Sequence, residues 1–466
     1  QTYIGGLIGS SDGNRIPELD LNGGVFSGSI TVGNLEKSAA QTIVCVGGVI
    51  GRYDNTTAPL VVKNATVTSN ITLENIKDTS LFKSGQLGGI VGYVCAEGEK
   101  LPVVAENTSN GAIVWDDQSK SVKAVPYIGG VTGYVTAGSF ESNVNTGSLT
   151  ISEPMDDLDW GGVIGASKVS VVNCENKGSL TISEAITKAN IGGVVGLLEA
   201  QSAVNCENSG QLVFGELFVI NNNCNIGGVV AYANKGTKEI KACSNSGSIT
   251  YSGSCYYVDR ATINGNANIV LGGVIGTTWS ELVSDCNNQK SAVLNIAGKV
   301  AGNGDIKRNL ATIDKNTAIA AVIGVRAGRK ASLGVSENVK TENCRNEGNV
   351  TFKWDYCGAS YIFSSACIGI FESDYVADCS NAGSVTVEAN VSTDTYTHPE
   401  TATLVAFVSG MFGYISDNCS EIHNCSNSGL VKVSNTSARM LWVSGLLGTA
   451  KSGAAIKFNN CGNTGD

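Results

Sequence analysis

The chain contains little proline, histidine or charge. Its 466 residues include 6 prolines and 2 histidines, and only 15% of them are charged. Six prolines exclude a proline-rich linker array. Nowhere does a long segment combine a 3.6-residue apolar stripe with a capping signal, so the sequence predicts almost no helix. Its apolar runs are also too short for a membrane-spanning helix.

The charge balance and the residue types available for ligation exclude further classes. With 31 Lys and Arg against 41 Asp and Glu, the net charge of −10 leaves no basic face for a nucleic acid. The chain has no Cys-x-x-Cys, and its only histidines are His398 and His423. We therefore predict no metal site and no cofactor.

What the chain does contain is a repeated glycine box, clearest as Ile-Gly-Gly-Val-Val-Gly-Leu-Leu at residues 191–198. Twelve copies recur at intervals of 31 to 48 residues. The second glycine or its equivalent falls at Gly6, Gly48, Gly89, Gly130, Gly162, Gly193, Gly228, Gly273, Ala321, Gly369, Gly410 and Gly445. The box lacks the sequence context of a nucleotide site, so its glycines predict a bulge, a bend or a close backbone approach.

A second box follows the later glycine boxes and combines cysteine, asparagine and glycine. Cysteine recurs at Cys174, Cys206, Cys243, Cys286, Cys344, Cys379, Cys425 and Cys461, with Asn143 in its place one repeat earlier. Asparagine stands two residues later at Asn145, Asn176, Asn208, Asn245, Asn288, Asn346, Asn381, Asn427 and Asn463. Asn-x-Gly predicts a corner with left-handed backbone angles. We expect the cysteines to stack as buried free thiols.

A strand follows each such corner. In Ser179-Leu180-Thr181-Ile182, the alternation predicts Leu180 and Ile182 inside and the hydroxyl residues outside. The whole pattern predicts an all-β, right-handed parallel β-helix, or β-solenoid, with about 12 rungs. Each repeat would form one rung of about three strands.

We expect a single solenoid over residues 1–466, as a slice of a longer protein. Repeats over residues 1–126 are divergent and those over 127–296 are regular. Residues 297–404 carry long insertions, and regularity returns over 405–466. Ala320-Ala321-Val322-Ile323-Gly324 and Cys367-Ile368-Gly369-Ile370-Phe371 are degenerate boxes.

Long insertions after the Ser-x-Thr strand fall at residues 252–270, 297–318, 353–365 and 388–403. Because insertions at one place in a repeat project from one face, they predict a binding face. The insertions carry aromatic residues, which are scarce elsewhere at 6% of the chain. Such residues either contact a glycan or protein ligand or pack the loops together. The candidate ligand-binding residues are Tyr256, Tyr257, Trp354, Tyr356, Tyr361 and Tyr396, and Phe363 belongs to the same group.

The boxes also carry a resemblance to a known family. Gly6-Leu7-Ile8-Gly9 and Gly445-Leu446-Leu447-Gly448 resemble the GLUG motif, and the Cys-x-Asn-x-Gly corners resemble its companion segment in repetitive surface proteins of Bacteroidetes. The similarity spans nearly the whole chain. It implies a secreted or surface-anchored β-solenoid stalk or adhesin and brings no catalytic residues.

Three classes of function follow. The first is a non-enzymatic extracellular or cell-surface protein that is structural or adhesive. Its partners would be a glycan or a protein on a host or neighbouring cell, or a second copy of itself stacked head to tail into filaments.

The second class is a β-helix polysaccharide lyase or hydrolase, which needs paired carboxylates. Its candidate residues are Asp156, Asp157 and Asp159, Asp259 with Arg260, and Asp305 with Lys307 and Arg308. The third class is an ice-binding solenoid, suggested by Ser-x-Thr pairs such as Ser179 and Thr181. That array is interrupted at Gln211/Val213, Ser291/Val293 and Leu430/Lys432.

Overall fold

A computed structural model shows an all-β chain, and the residues it describes contain no helix. The described residues are 2–12, 19–33, 44–54, 59–74, 85–96, 101–116, 127–155, 157–184, 186, 188–215, 219–220, 224–257, 269–302, 316–327, 339–356, 360–371, 375–391, 404–415, 421–434, 440–450 and 456–466.

The strands form four sheets, which we call A to D. Sheet A has 12 strands, and each of them ends at a glycine box or its equivalent. They are Thr2–Gly5, Val44–Gly47, Gln86–Gly88, Tyr127–Gly129, Leu158–Gly161, Ala189–Gly192, Cys224–Gly227, Ile269–Gly272, Asn316–Ala320, Ser360–Ser365, Leu404–Ser409 and Met440–Ser444.

Sheet B has 22 strands, which lie in the segments that follow the glycine boxes. They are Ile8–Asp12, Leu19–Asn22, Ile50–Asp54, Leu60–Lys63, Val91–Cys95, Val103–Ala105, Thr132–Val135, Ser139–Glu141, Ile164–Ser167, Val171–Val172, Val195–Val204, Val230–Lys241, Ile275–Thr278, Leu282–Ser284, Ile323–Arg326, Lys340–Glu342, Ile368–Phe371, Tyr375–Ala377, Phe412–Ile415, Glu421–His423, Leu447–Ala450 and Lys457–Asn459.

Sheet C has 12 strands of two residues each at the cysteine–asparagine corner. They are Val25–Phe26, Thr66–Val67, Thr108–Ser109, Val144–Asn145, Glu175–Asn176, Glu207–Asn208, Ser244–Asn245, Asn287–Asn288, Arg345–Asn346, Ser380–Asn381, Ser426–Asn427 and Gly462–Asn463.

Sheet D has 13 strands. They are Ser29–Gly33, Asn70–Glu74, Ile113–Trp115, Leu149–Ile151, Leu180–Ile182, Leu212–Phe214, Val219–Ile220, Ile249–Tyr251, Ser254–Tyr257, Val293–Gly302, Asn349–Tyr356, Val385–Val391 and Val431–Val433.

Strands pair in parallel with their counterparts one repeat away, as Leu149–Ile151 does with Leu180–Ile182. Long sheets of parallel strands are consistent with the predicted β-solenoid. The expected three strands per repeat are too few. The repeat that begins at Tyr127 forms five, because bends at the glycine box and at the cysteine corner divide it into shorter segments.

Besides a small cluster of Phe363, Phe407 and Tyr414, the described residues form two large apolar clusters in the interior. One joins the inward residues of sheets A and D, such as Trp160, Leu180 and Ile182. The other joins sheet B to the cysteine corner and includes Val195 and Cys206. The alternation in the Ser-x-Thr strand therefore has its predicted sense, since Leu180 and Ile182 are each 1% exposed.

The glycine box forms the corner between sheets A and B, where backbones approach closely. A Cβ atom on Gly193 would lie 1.9 Å from the carbonyl oxygen of Gly228 in the next repeat. Our alignment of the tenth box was wrong. Ser365 pairs with Ala320, and Ile368 pairs with Ile323, so Ala366 and not Gly369 holds the second-glycine position.

The corner asparagines form a continuous amide ladder along sheet C. Asn208 Nδ2 donates to Asn245 Oδ1 at 2.8 Å and to the Gly210 carbonyl at 3.0 Å, and Asn208 Oδ1 accepts from Asn176 Nδ2 at 2.8 Å. Hydrogen bonds of 2.6 to 3.2 Å between these side-chain amides join each repeat to the next from Asn145 to Asn463. Buried amides thus satisfy one another and the corner carbonyls.

The predicted left-handed angles lie elsewhere in the corner. A positive φ occurs at the residue before the cysteine position, as in Asn173 with φ of 53° and Asn205 with φ of 54°. The ladder asparagines are absent from the positive-φ residues of the described chain. Gly178 is needed because a Cβ there would meet the Gly147 carbonyl oxygen at 1.9 Å, and not because of its own φ.

The cysteines that align with this corner are free thiols. Seven of the eight are buried, and Cys461 in the last repeat is half-buried. Their Sγ atoms donate to backbone carbonyls, as Cys174 does to Val172 at 3.4 Å. Burial raises the pKa of Cys174 to about 12, which keeps this thiol protonated at neutral pH.

Substituting Asn208 with Ala should destabilise the fold by about 2–4 kcal/mol, because buried partners in three repeats lose hydrogen bonds. Denaturant unfolding measures the change. Ser209→Ala is the matched control, since Ser209 is exposed at the same corner. Equal stabilities for the two variants would contradict a stabilising role for the amide ladder.

Native alkylation with iodoacetamide should label the half-buried Cys95 and Cys461 well before Cys174 and Cys243, which are at most 1% exposed. Unfolding in guanidinium should then expose them all. Peptide mass spectrometry follows each site. Fast labelling of Cys243 in the folded protein would show that the row is accessible.

Candidate functional site

The predicted aromatic residues fall into three places. Tyr256 and Tyr257 lie in the strand Ser254–Tyr257, and Trp354 and Tyr356 lie in Asn349–Tyr356, both in sheet D. Tyr361 lies in the strand Ser360–Ser365 of sheet A. Tyr396 lies outside the described residues.

The insertions are not loops throughout, and Phe363 is an example. It belongs to a strand of sheet A, is 1% exposed, and stacks on Phe407 with ring centroids 5.1 Å apart. This ring packs within the protein, which is the alternative to ligand contact considered for the whole group.

The described parts of the insertions continue sheet D beyond its inward residues. We call residues 219–220, 254–257, 299–302, 353–356 and 388–391 the sheet D extension. Ser254–Tyr257 pairs with residues 299–302, and residues 299–300 pair with Asp355 and Tyr356. Residues 353–356 pair in turn with residues 388–391, and Lys353 Nζ lies 3.4 Å from Glu388 Oε1. The extension therefore places four of the six candidate aromatics in two strands of one sheet, on either side of the strand Val293–Gly302.

A second candidate surface lies outside the corner between sheets A and B. Two in-register rows of residues outside the two large apolar clusters face each other there, and several of them, such as Cys45, Ala166 and Phe363, are buried. We call this region the outer groove. The sheet A row is Tyr3, Cys45, Gln86, Tyr127, Asp159, Asn190, Asn225, Val270, Ala318, Phe363, Phe407 and Trp442. The sheet B row is Ser10, Arg52, Tyr93, Tyr134, Ala166, Leu197, Tyr232, Thr277, Val325, Ile370, Tyr414 and Thr449.

Contacts across the outer groove join the two rows. The rings of Tyr127 and Tyr134 stack with centroids 4.5 Å apart. The Arg52 guanidinium, which pairs with Asp54, lies 5.4 Å from the ring centroid of Tyr3 and 5.1 Å from that of Tyr93. The first repeats therefore line the groove with aromatic rings and cations.

A polar cluster fixes one lysine beside this groove. The Tyr134 hydroxyl donates to Glu199 Oε1 at 2.8 Å, and Lys168 Nζ lies 3.5 Å from Glu199 Oε2. Lys168 Nζ also stands 5.8 Å from the Tyr134 ring centroid. Burial and the nearby Glu199 carboxylate raise the pKa of Tyr134, so its hydroxyl remains a proton donor.

Asp159 is the one predicted carboxylate that the structure places in the outer groove. Its neighbours along the strand, Leu158 and Trp160, are at most 1% exposed and point inside. Asn190 Nδ2 donates to Asp159 Oδ1 at 2.6 Å. Burial raises the pKa of Asp159 to about 7 despite that hydrogen bond, and the Asp157 carboxylate adds to the rise. This carboxyl group can therefore carry a proton near neutral pH.

Of the other carboxylates considered for an enzyme, the described residues include Asp157, whose charge acts on Asp159. Asp157 is exposed and its Oδ1 lies 2.8 Å from Lys188 Nζ. Asp156, Asp259, Arg260, Asp305, Lys307 and Arg308 lie outside the described residues.

The outward row of sheet D bears on the ice-binding alternative. This row is Thr31, Thr72, Val114, Thr150, Thr181, Val213, Thr250, Asn295, Thr351, Thr386 and Lys432. The pair Ser291/Val293 was misaligned, because Thr250 pairs with Asn295 and not with Val293. Threonine is still interrupted at Val114, Val213, Asn295 and Lys432.

Sequence reasoning missed the outer groove for an identifiable reason. Its members include aromatic, acidic, amide and aliphatic residues, so no single residue type recurs in every repeat. The signal available was positional, since each member of the sheet A row stands two residues before the first residue of a glycine corner.

Among the described residues, no cluster of three or more His, Cys, Asp or Glu side chains could hold a metal ion. That part of the chain also contains no helix long and apolar enough to span a membrane. Comparisons with models of protein families, with curated proteins and with solved structures find no match.

Substituting Asp159 with Asn should make stability less dependent on pH between about 4 and 7. In that window the folded wild type keeps a proton that the unfolded chain releases, so its stability falls as pH rises through the window. Between pH 4 and pH 8, the free energy of unfolding of the variant should therefore rise by about 1–2 kcal/mol relative to that of the wild type.

Denaturant unfolding at both pH values tests this expectation. Asp157→Asn is the matched control because it removes the same charge from the exposed surface. Equal effects of the two substitutions would attribute the change to net charge and not to the burial of Asp159.

Proposed function

We propose that this chain is a non-enzymatic extracellular β-solenoid that binds a glycan or protein through the sheet D extension. Its repeats would coil as a right-handed parallel β-helix of about 12 rungs, each starting at one strand of the 12-stranded sheet A. The right hand follows from the general preference of parallel crossover connections.

The observation that carries the proposal is the in-register pairing of successive insertions. Insertions of unrelated sequence lengthen strands of the same sheet, as residues 299–300 and 355–356 do where they pair with each other. They thereby form one continuous sheet surface in place of separate loops. That surface holds Tyr256, Tyr257, Trp354 and Tyr356 in two strands on either side of Val293–Gly302, and aromatic residues are frequent anchors in binding surfaces.

Other properties agree with a surface protein. The net charge of −10 favours solubility and disfavours polyanions. The resemblance of the glycine boxes to the GLUG motif supports a location at the cell surface. Head-to-tail stacking of copies belongs to the same proposal, because strands of two copies would pair in the parallel register that successive repeats already use.

Replacing Trp354 and Tyr356 together with Ala should weaken binding about tenfold or more, and a thermal unfolding curve checks that the double variant folds. Binding of the whole chain to an array of glycans and immobilised matrix proteins measures the effect. Thr351→Ala is the matched control, because Thr351 is exposed on the same strand but precedes the extension.

Undiminished binding by the double variant would reject the sheet D extension as the binding face. Release of new reducing ends or unsaturated products from a polysaccharide panel would reject the non-enzymatic assignment. In that case Asp159 and Asp259 would be the first carboxylates to substitute.

A further inference from the structure

Sheet B has two strands in most repeats, and a notch lies beside the connections between them in the repeats that begin at Gln86, Tyr127 and Leu158. In the first of these repeats the connection is nine residues long, residues 95–103, between Val94 and Val104. In the next repeat the equivalent connection, between Val135 and Phe140, has only residues 136–139. In the repeat after that, between Ser167 and Val171, it has only residues 168–170. An open cavity of about 420 Å³ lies where described residues of these three connections meet, at Leu101, Gly138 and Val169. That volume is within the range of small-molecule sites.

The walls of the notch are fixed by local contacts. Gly138 has φ of +100°, and a Cβ there would lie 2.0 Å from the Pro102 carbonyl oxygen, so only glycine fits against the longer connection. Ser139 N donates to that same Pro102 carbonyl at 2.9 Å. In the following repeat, Ser167 Oγ donates to the Val169 carbonyl at 2.8 Å and accepts from Val169 N at 3.2 Å. The notch is thus preformed.

Its lining combines an apolar patch with hydrogen-bonding groups. Leu101, which is 53% exposed, and Val169 provide the apolar part. Ser139, Ser170, Gln201 and Glu141 stand around them. Most other large apolar side chains with comparable exposure, such as Leu7 and Trp442, lie in the outermost repeats. Leu101 is therefore unusual within the body of the described sheets.

Lys168 gives the notch a positioned cation. Its ammonium is held by Glu199, which itself accepts from Tyr134, so the side chain is oriented before any ligand arrives. Glu141 lines the same notch and supplies the opposite charge. A site with one cation and balancing carboxylates has no net attraction for an anion.

We propose that this notch binds a neutral saccharide of one or two rings. The C–H face of a sugar ring matches Leu101 and Val169. Sugar hydroxyl groups, which both donate and accept, match the adjacent hydroxyl, amide, ammonium and carboxylate groups. The site is distinct from the sheet D extension and shares no residue with it.

Saturation-transfer NMR of the whole chain with maltose, cellobiose, lactose and N,N′-diacetylchitobiose tests the proposal. At least one of these probes should bind with a Kd of about 1–10 mM. Leu101→Asp and Lys168→Met should each weaken that binding by about fivefold or more. Both side chains are exposed, and a thermal unfolding curve checks that each variant folds.

Val293→Ser is the control, because Val293 is also exposed and apolar at 37% but lies in sheet D outside the extension. It should leave saccharide binding unchanged. Saturation transfer from none of the four probes, or equal binding by Leu101→Asp and wild type, would overturn the site. Tighter binding of sialyllactose than of lactose, lost in Lys168→Met, would overturn the neutral class of ligand. These outcomes concern the notch alone, so they are separable from failure of the Trp354 and Tyr356 test.

Discussion

In-register stacking of each repeat on the next is the constraint on which the structure depends. Parallel pairing satisfies backbone N–H and C=O groups only if equivalent residues of neighbouring repeats lie side by side. The amide ladder adds side chains to this requirement, because Asn208 bonds to Asn176 on one side and to Asn245 on the other. A repeat cannot shift along its strand without breaking such bonds. The corners are therefore alike from repeat to repeat, while the connections between them differ.

The close backbone approach at the glycine boxes follows from the same stacking. At the corner between sheets A and B, Gly193 has no room for a Cβ beside the Gly228 carbonyl oxygen of the next repeat. Alanine at 320 and 321, and Ser365 with Ala366, occupy the corresponding corner where the box is degenerate. All four of these side chains are fully buried, so the later corners contain a Cβ where the regular box has only hydrogen. These substitutions also explain why a search for glycine misplaced the tenth box.

Much of this architecture could be predicted from the sequence because its physical causes are local and repeated. Alternation in Leu180-Thr181-Ile182 gave the inward face, and the recurring glycine boxes predicted close backbone approach. The division into five strands was less visible, since two-residue strands such as Glu175–Asn176 have too little length for a period. The left-handed residue was assigned to the wrong place because Asn, Ser, Ala, Asp and Glu all occupy it. Asn176 is needed at the corner for its buried hydrogen bonds, and not for its backbone angles.

The candidate sites were harder to predict because they arise from differences between repeats. The outer groove gathers Tyr127, Asp159 and Asn190 by pairing across three repeats, although nothing in their sequences is shared. Likewise, the notch gathers Leu101, Gly138 and Val169 from three successive repeats whose connections differ in length. In a stacked array, such differences in length and residue type change the shape and chemistry of the surface. The common corners still keep every repeat in register. Recognition can therefore vary along this molecule without a change of fold, and it should concentrate where neighbouring repeats are least alike.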